Sequence, residues 1–140
     1  MKKKTAYIVL TVLAAVLLAA AALERENPER KARKFLDRNQ ALLEESYETG
    51  IVPADIGYQN YNLWEGGHPM MEFLLPGWAG WGSTYYGCYY SPDGVPLAFQ
   101  NADVPLTEER ENRWTWQAEG DNHGETSCIR GNWFFFRASF

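Results

Sequence analysis

The sequence contains few of the side chains that most often carry catalysis. It has two cysteines and two histidines in 140 residues. It also lacks the local motifs of serine hydrolases, zinc proteases and phosphate-binding loops. No lysine follows Lys34, and from residue 39 onward four arginines face fourteen acidic residues, a balance of 4 − 14 = −10. A surface with this charge repels phosphate backbones, so we expect no nucleic-acid partner.

The histidines and their acidic neighbours do not have the spacing of a metal site. His68 and His123 both lie in predicted turns. The spacing matches no zinc pattern, and residues 121–124 lack the alternating oxygen ligands of a calcium loop. We therefore predict no metal and no cofactor, and we interpret these polar residues as turn formers.

Residues 5–23 form an apolar segment that follows three lysines near the start of the chain. This segment contains no charge and no proline, and a helix of its length spans a hydrocarbon core of roughly 30 Å. We predict that residues 1–23 are a transmembrane anchor or a signal peptide, with the membrane as a partner through residues 5–23. Cleavage after Ala22 would release a secreted protein, because residues 20–22 are the small residues that a signal peptidase accepts.

The chain beyond the apolar segment is predicted to lie outside the cytoplasm. The N-terminal lysines hold their end inside, and a long following domain is translocated largely regardless of its charge. We predict a charged juxtamembrane stalk over residues 24–34 and an extracytoplasmic domain over residues 35–140. The basic residues beside the segment can contact anionic lipid or cell-wall polymer, or they can form a solvated helix face.

The pattern after the apolar segment predicts an α+β fold, with one amphipathic helix packed on an antiparallel sheet of about five to six strands. Asn27, Pro28 and Gly50 are typical of a capped helix, which we place over residues 28–48. Residues 132–140 are apolar on both faces, which predicts a central or covered strand. The runs with strand character are 58–64, 70–75, 84–90, 95–99, 113–118, 125–130 and 132–140, with a loop over 101–111.

Aromatic residues are the main surplus, at 15% of the chain. Trp78 and Trp81 lie among glycines in a predicted loop, where exposed rings can form a contact patch together with Tyr85 and Tyr89. Such a patch would suit a protein or glycan partner. The two tryptophans can instead fold over the sheet as a lid, or they can lie at the membrane interface.

Cys88 and Cys128 are each predicted near the middle of a strand. In an exported domain two thiols most simply form one disulfide. The alternative is two separate buried thiols that act as small hydrophobic side chains. Bonding requires that the two Cα atoms come within about 7 Å, which the sequence does not establish.

Together these features favour a small membrane-anchored or secreted binding module of unknown ligand over an enzyme. One alternative is a small cell-surface hydrolase that acts on glycan or wall material through a pair of carboxylates. The candidate acids for that pair are Glu65, Glu72, Glu119, Asp121 and Glu125. A second alternative is an accessory or immunity-type subunit that packs on another membrane protein through small residues of the apolar segment.

Overall fold

The computed structural model describes residues 2–25, 27–77 and 83–140 of the chain. Its first helix, α1, runs over Lys2–Arg25. Within α1 the window Ala6–Leu23 is long and apolar enough to cross a membrane, and none of it is buried against the rest of the described structure. The expectation of an apolar N-terminal helix is therefore confirmed by length and composition. A membrane anchor and a signal sequence both meet this criterion.

The second helix, α2, runs over Pro28–Thr49 and is capped at both ends as the sequence predicts. The side chain of Asn27 accepts a hydrogen bond from the backbone N–H of Arg30 at 3.1 Å. Pro28 occupies the first turn, where a missing N–H costs nothing. Gly50 ends the helix with φ at 71°, a left-handed conformation that glycine adopts without strain.

Helix α2 packs on the sheet from its first turns. Ala32 is fully buried, and the apolar stripe continues through Leu36 and Leu43, which are also fully buried. Glu29 in the first turn pairs with Arg113 of the sheet at 2.7 Å. These contacts place the start of α2 against the sheet.

Seven strands within the described residues form one open antiparallel sheet, which is more than the five to six that the sequence predicts. Their order across the sheet is β1-β2-β3-β7-β6-β5-β4. The strands are β1 Asn60–Trp64, β2 Met70–Leu74, β3 Thr84–Tyr90, β4 Thr107–Arg110, β5 Arg113–Gln117, β6 His123–Arg130 and β7 Trp133–Ser139.

Strand β7 lies between β3 and β6, which confirms the prediction from its two apolar faces. Trp133 and Phe135 pack in the core between the sheet and α2. Phe134 and Phe136 pack in a second core on the opposite face. Each of these four rings is at most 2% exposed, and full burial of a large apolar side chain contributes about 1.5–3 kcal/mol.

Two segments differ from their predicted structure. Residues 95–99 do not form a strand; they cross the second face of the sheet and lead into a 3-10 turn at Phe99–Asn101. The apolar alternation there reflects packing in the second core, while the Leu97 N–H donates to the Tyr89 hydroxyl at 2.8 Å. Conversely, strand β4 lies within residues 101–111, where a loop is predicted. The sequence does not reveal this strand, because all four of its residues are exposed at the sheet edge and show no apolar alternation.

Cys88 and Cys128 are free thiols in this fold, where the sequence had left a disulfide and two separate thiols open. Strand β7 separates them, with Cys88 paired in register with Phe135 and Cys128 with Phe134. Neighbouring residues of a strand point to opposite faces, so the two thiols do so as well, at two strand spacings or roughly 10 Å. A disulfide requires Cα atoms within about 7 Å. The alternative of two separate thiols therefore describes this structure.

We expect alkylation under non-reducing conditions to modify Cys128 much faster than Cys88 in the native chain. Cys88 is fully buried, and burial raises the pKa of its thiol, which reduces the reactive thiolate. After unfolding without reductant, mass spectrometry should find both cysteines modified in each chain. If modification of the two cysteines appeared only after addition of a reductant, this would show that Cys88 and Cys128 are bonded to each other.

Candidate functional site

Helix α2 has two flanks of opposite character on either side of its buried stripe. Spacings of three and four residues place Lys31, Lys34 and Arg38 on one side of the helix. Glu29 and Asp37, eight residues apart, lie on the other side. We call these the basic flank and the acidic flank. Their contacts with the sheet differ, and that difference defines the candidate site.

The acidic flank is paired with arginines of the sheet. Arg113 of β5 donates to Glu29 at 2.7 Å and to Glu125 of β6 at 3.1 Å. Arg130, at the end of β6, pairs with Asp37. These ion pairs hold α2 against β5 and β6, so the charges of this flank have a structural use.

The first of these ion pairs keeps Glu29 ionised although it is partly buried. Burial acts to raise the pKa of Glu29, but hydrogen bonds from Arg33 and Arg113 outweigh burial and hold this pKa below its ordinary value. Glu29 therefore carries its charge throughout the neutral range and contributes no free negative surface.

The basic flank borders a concave pocket of about 250 Å³ at the surface of the domain. Lys31, Lys34 and Arg38 line one side of it. The opposite side is largely apolar and includes Leu75 and Pro76, which follow β2 and reach α2 only in the folded domain. We call this concavity the basic pocket.

Hydrogen bonds hold the walls of the basic pocket in place. The side-chain amide of Asn39 donates to the carbonyl oxygen of Phe35 at 2.9 Å and reaches that of Ile56 at 3.5 Å. The hydroxyl of Tyr86, whose ring is buried, donates to the carbonyl oxygen of Pro76 at 2.6 Å. The pocket is therefore formed before any ligand arrives, which lowers the entropic cost of binding.

Two cations of the pocket have no internal counter-charge. Lys34 and Arg38 are exposed and form no ion pair with any carboxylate of the described chain. Lys31 and Lys34 are the only lysines after residue 4, and both line this pocket. Positive charge is thus concentrated at one concave surface of an otherwise acidic domain, and Lys34 and Arg38 have no carboxylate partner among the described residues.

The structure brings one of the four predicted aromatic contact residues to the described surface. Trp78 and Trp81 lie outside the described residues. The Tyr85 side chain is 41% exposed and stacks on Phe99, with ring centroids 5.8 Å apart. Tyr89 is fully buried, and its hydroxyl lies 2.7 Å from that of Thr126, so in this fold Tyr89 offers no surface to a ligand.

The two candidate hydrolytic acids that are removed from solvent do not meet. Glu72 is fully buried on the face of the sheet opposite α2, whereas Glu125 lies on the helix side in its ion pair with Arg113. Glu65, Glu119 and Asp121 are exposed in the β1–β2 and β5–β6 connections. A glycosidase needs two carboxylates across one cleft, and Glu72 with Glu125 cannot supply such a pair.

Glu72 is nevertheless an unusual carboxyl group. Its oxygens accept a hydrogen bond from the backbone N–H of Gln100 at 3.0 Å and one from the side chain of Asn62 at 3.3 Å. Burial outweighs these bonds and raises the pKa of Glu72 to about 7. This group makes the stability of the domain sensitive to pH near neutrality.

The histidines form only pairwise contacts. The Nδ1 atom of His68 lies 3.4 Å from the carboxylate of Asp93, and that of His123 lies 2.7 Å from the backbone oxygen of Asp121. Within residues 2–25, 27–77 and 83–140, no three side chains of His, Cys, Asp or Glu are grouped to hold a metal ion.

Comparisons with protein families, with curated proteins and with solved structures found no match to this chain. The function of this chain is therefore inferred from the geometry and charge of its own residues.

The sequence pattern contained part of the signal for the basic pocket. The spacing of Lys31, Lys34 and Arg38 is visible in the sequence, where it is also typical of a solvated helix face. The opposing wall comes from residues 56–57, 75–76 and 86, which no periodicity along α2 reveals.

Proposed function

We propose that this chain is a membrane-anchored binding module that carries its sheet domain outside the cytoplasm and binds an anionic, phosphate-bearing group in the basic pocket. One observation carries the proposal: Lys34 and Arg38, which form no ion pair within the described part of the chain, lie at a pocket in a domain that is otherwise acidic. The acidic flank of the same helix supports it by contrast, because its charges are consumed by ion pairs with the sheet.

The chemistry of the pocket favours a phosphate group with a short organic substituent. Lysine binds phosphate as a point charge, and arginine donates to two oxygens at once. The apolar wall, which includes Leu75 and Pro76, suits carbon atoms attached to the phosphate. At about 250 Å³, the pocket is below the usual size of sites for larger organic ligands, about 300–1,000 Å³.

The apolar window of α1 supports location at a membrane, and the pocket follows it closely in the chain. Cleavage after Ala22 would leave α2 and the basic pocket intact in a secreted form. The binding function is therefore proposed for both forms of the chain.

Replacing Arg38 with glutamate should weaken binding of a phosphate polymer about tenfold at low salt, because a favourable charge contact of about 1 kcal/mol becomes repulsive. The probe is inorganic polyphosphate, with affinity measured by calorimetry on the chain in mild detergent. Arg110→Glu is the matched control, since Arg110 is also exposed and unpaired but lies on edge strand β4. Equal losses in the two variants would indicate a general charge effect and contradict the proposed pocket, as would no loss in Arg38→Glu.

A further inference from the structure

We infer that the basic pocket takes the phosphate headgroup of an anionic phospholipid from the bilayer that holds α1, so that the basic flank of α2 lies against the membrane surface. This inference rests on the proposed function and assigns a source to its anionic ligand. Three features support it: the short connection to α1, the distribution of charge and the apolar surface beside the cations.

The connection between the two helices keeps the pocket close to the bilayer. The apolar window ends at Leu23, and Lys31 follows it by 31 − 23 = 8 residues. Arg38 lies ten residues into α2, which corresponds to a rise of about 15 Å. The five residues from Leu23 to Pro28 span at most about 18 Å even when extended. Phospholipid headgroups are thus present near the pocket at a high effective concentration.

The connection also allows α2 to take its own direction. Asn27 has φ −60° and ψ 121°, an extended conformation that interrupts the helix between Arg25 and Pro28. Helix α2 is therefore a separate helix, and the proposal orients it along the membrane surface.

The charge distribution selects which side of the domain meets an anionic bilayer. The basic flank carries three cations, while residues from 39 onward carry a balance of 4 − 14 = −10. An anionic surface attracts juxtamembrane lysine and arginine residues and repels the acidic remainder. Because this field decays within about 10 Å at ordinary salt, the attraction is strongest when the basic flank itself faces the lipid. The sheet is then held away from the lipid.

Apolar side chains lie beside the cations, as expected of a face that meets the boundary between headgroups and acyl chains. Leu42 lies one helical turn beyond Arg38 on the same side of α2 and is 37% exposed. Ile56 and Leu75 line the pocket itself. A ligand limited to a free phosphate ion would make no use of these side chains.

The test uses the full chain in lipid nanodiscs and measures how fast an amine reagent modifies Lys34. Lysine occurs only at residues 2–4, 31 and 34, so peptide mass spectrometry resolves this site. Three conditions are compared: phosphatidylcholine alone, an equimolar mixture with phosphatidylglycerol, and phosphatidylcholine with soluble polyphosphate. For each variant the rate is expressed relative to its own rate in phosphatidylcholine.

Phosphatidylglycerol should slow modification of Lys34 by about threefold or more in the wild type and in Arg110→Glu. Arg38→Glu should lose this protection, and raised salt should reduce it in the wild type. Protection by polyphosphate without protection by phosphatidylglycerol would overturn the lipid source and leave the proposed function standing. Protection under neither condition would overturn both.

Discussion

Replacing Gly87 with alanine should destabilise the domain by about 3–5 kcal/mol, enough to leave a small domain close to unfolding. Gly87 lies in β3, where β2 pairs on one side and β7 on the other. A Cβ atom at this position would lie 1.9 Å from the carbonyl oxygen of Phe73 and 3.0 Å from the ring of Phe136. The oxygen belongs to the backbone of a paired strand, so it cannot move without breaking the sheet.

Gly66→Ala is the matched control, because a Cβ atom there meets no other atom within 4 Å. We expect its free energy of unfolding to change by less than about 0.5 kcal/mol. Denaturation of the chain in mild detergent, followed by tryptophan fluorescence, gives both values. A Gly87→Ala variant with the wild-type midpoint would show that β2 and β3 are not paired in this register.

The second large effect concerns Glu72 and pH. Burial raises the pKa of Glu72 to about 7 from an ordinary value of 4.5, so the folded chain holds this proton more tightly than the unfolded chain does. Stability should therefore fall as pH rises from about 4.5 to about 7, and stay low above that. A difference of 7 − 4.5 = 2.5 pH units corresponds to about 3 kcal/mol.

Glu72→Gln should remove this dependence and be more stable than the wild type at pH 8 by about 2–3 kcal/mol. The amide can accept from the N–H of Gln100 and donate to Asn62 once the Asn62 amide has turned over. Tyr89 and Cys88 of β3 also interact electrostatically with Glu72. Both groups stay protonated, because burial raises their pKa values as well. No cation of the described chain is bonded to Glu72.

The measurement is the free energy of unfolding from pH 4.5 to 8.5 for the wild type and Glu72→Gln. Glu119→Gln serves as the control, since Glu119 is exposed and should leave the pH profile unchanged. The acid Glu29 has a lowered pKa, so its contribution is lost only as pH falls below about 4.5. A wild-type profile parallel to that of Glu72→Gln between pH 4.5 and 7 would contradict the assignment.

Local signals predicted the elements whose stability is decided by neighbours in the chain. The cap at Asn27, the proline after it and Gly50 mark α2 to within one residue of its observed end. Strand β3 has the predicted bounds, Thr84–Tyr90. The double-faced apolar pattern of β7 indicated its central position. In each case the residues that identify the element in the sequence are also the residues that cap it or are buried in the core.

The failures occurred where the partner of a segment, rather than its own pattern, decides its structure. Strand β4 is entirely exposed and pairs only through its backbone, so its side chains contain no strand signal. Residues 95–99 alternate like a strand, but they pack on the second core and have no strand beside them. The sequence left the pairing of the cysteines open for a similar reason, since it is the strand order that places β7 between Cys88 and Cys128.

The amino-acid sequence alone was sufficient for the apolar N-terminal helix, the capped amphipathic helix and the antiparallel character of the domain, because these depend on periodicity and on residues close in the chain. The basic pocket could not be predicted from the sequence in this way. In the sequence, Lys34 and Arg38 are typical of a solvated helix face. Only the folded domain places residues 56–57 and 75–76 opposite them, where these residues form the other wall of the pocket. Whether a charge is neutralised or left free depends on residues far away in the chain, such as Arg113 beside Glu29, and folding alone brings these together.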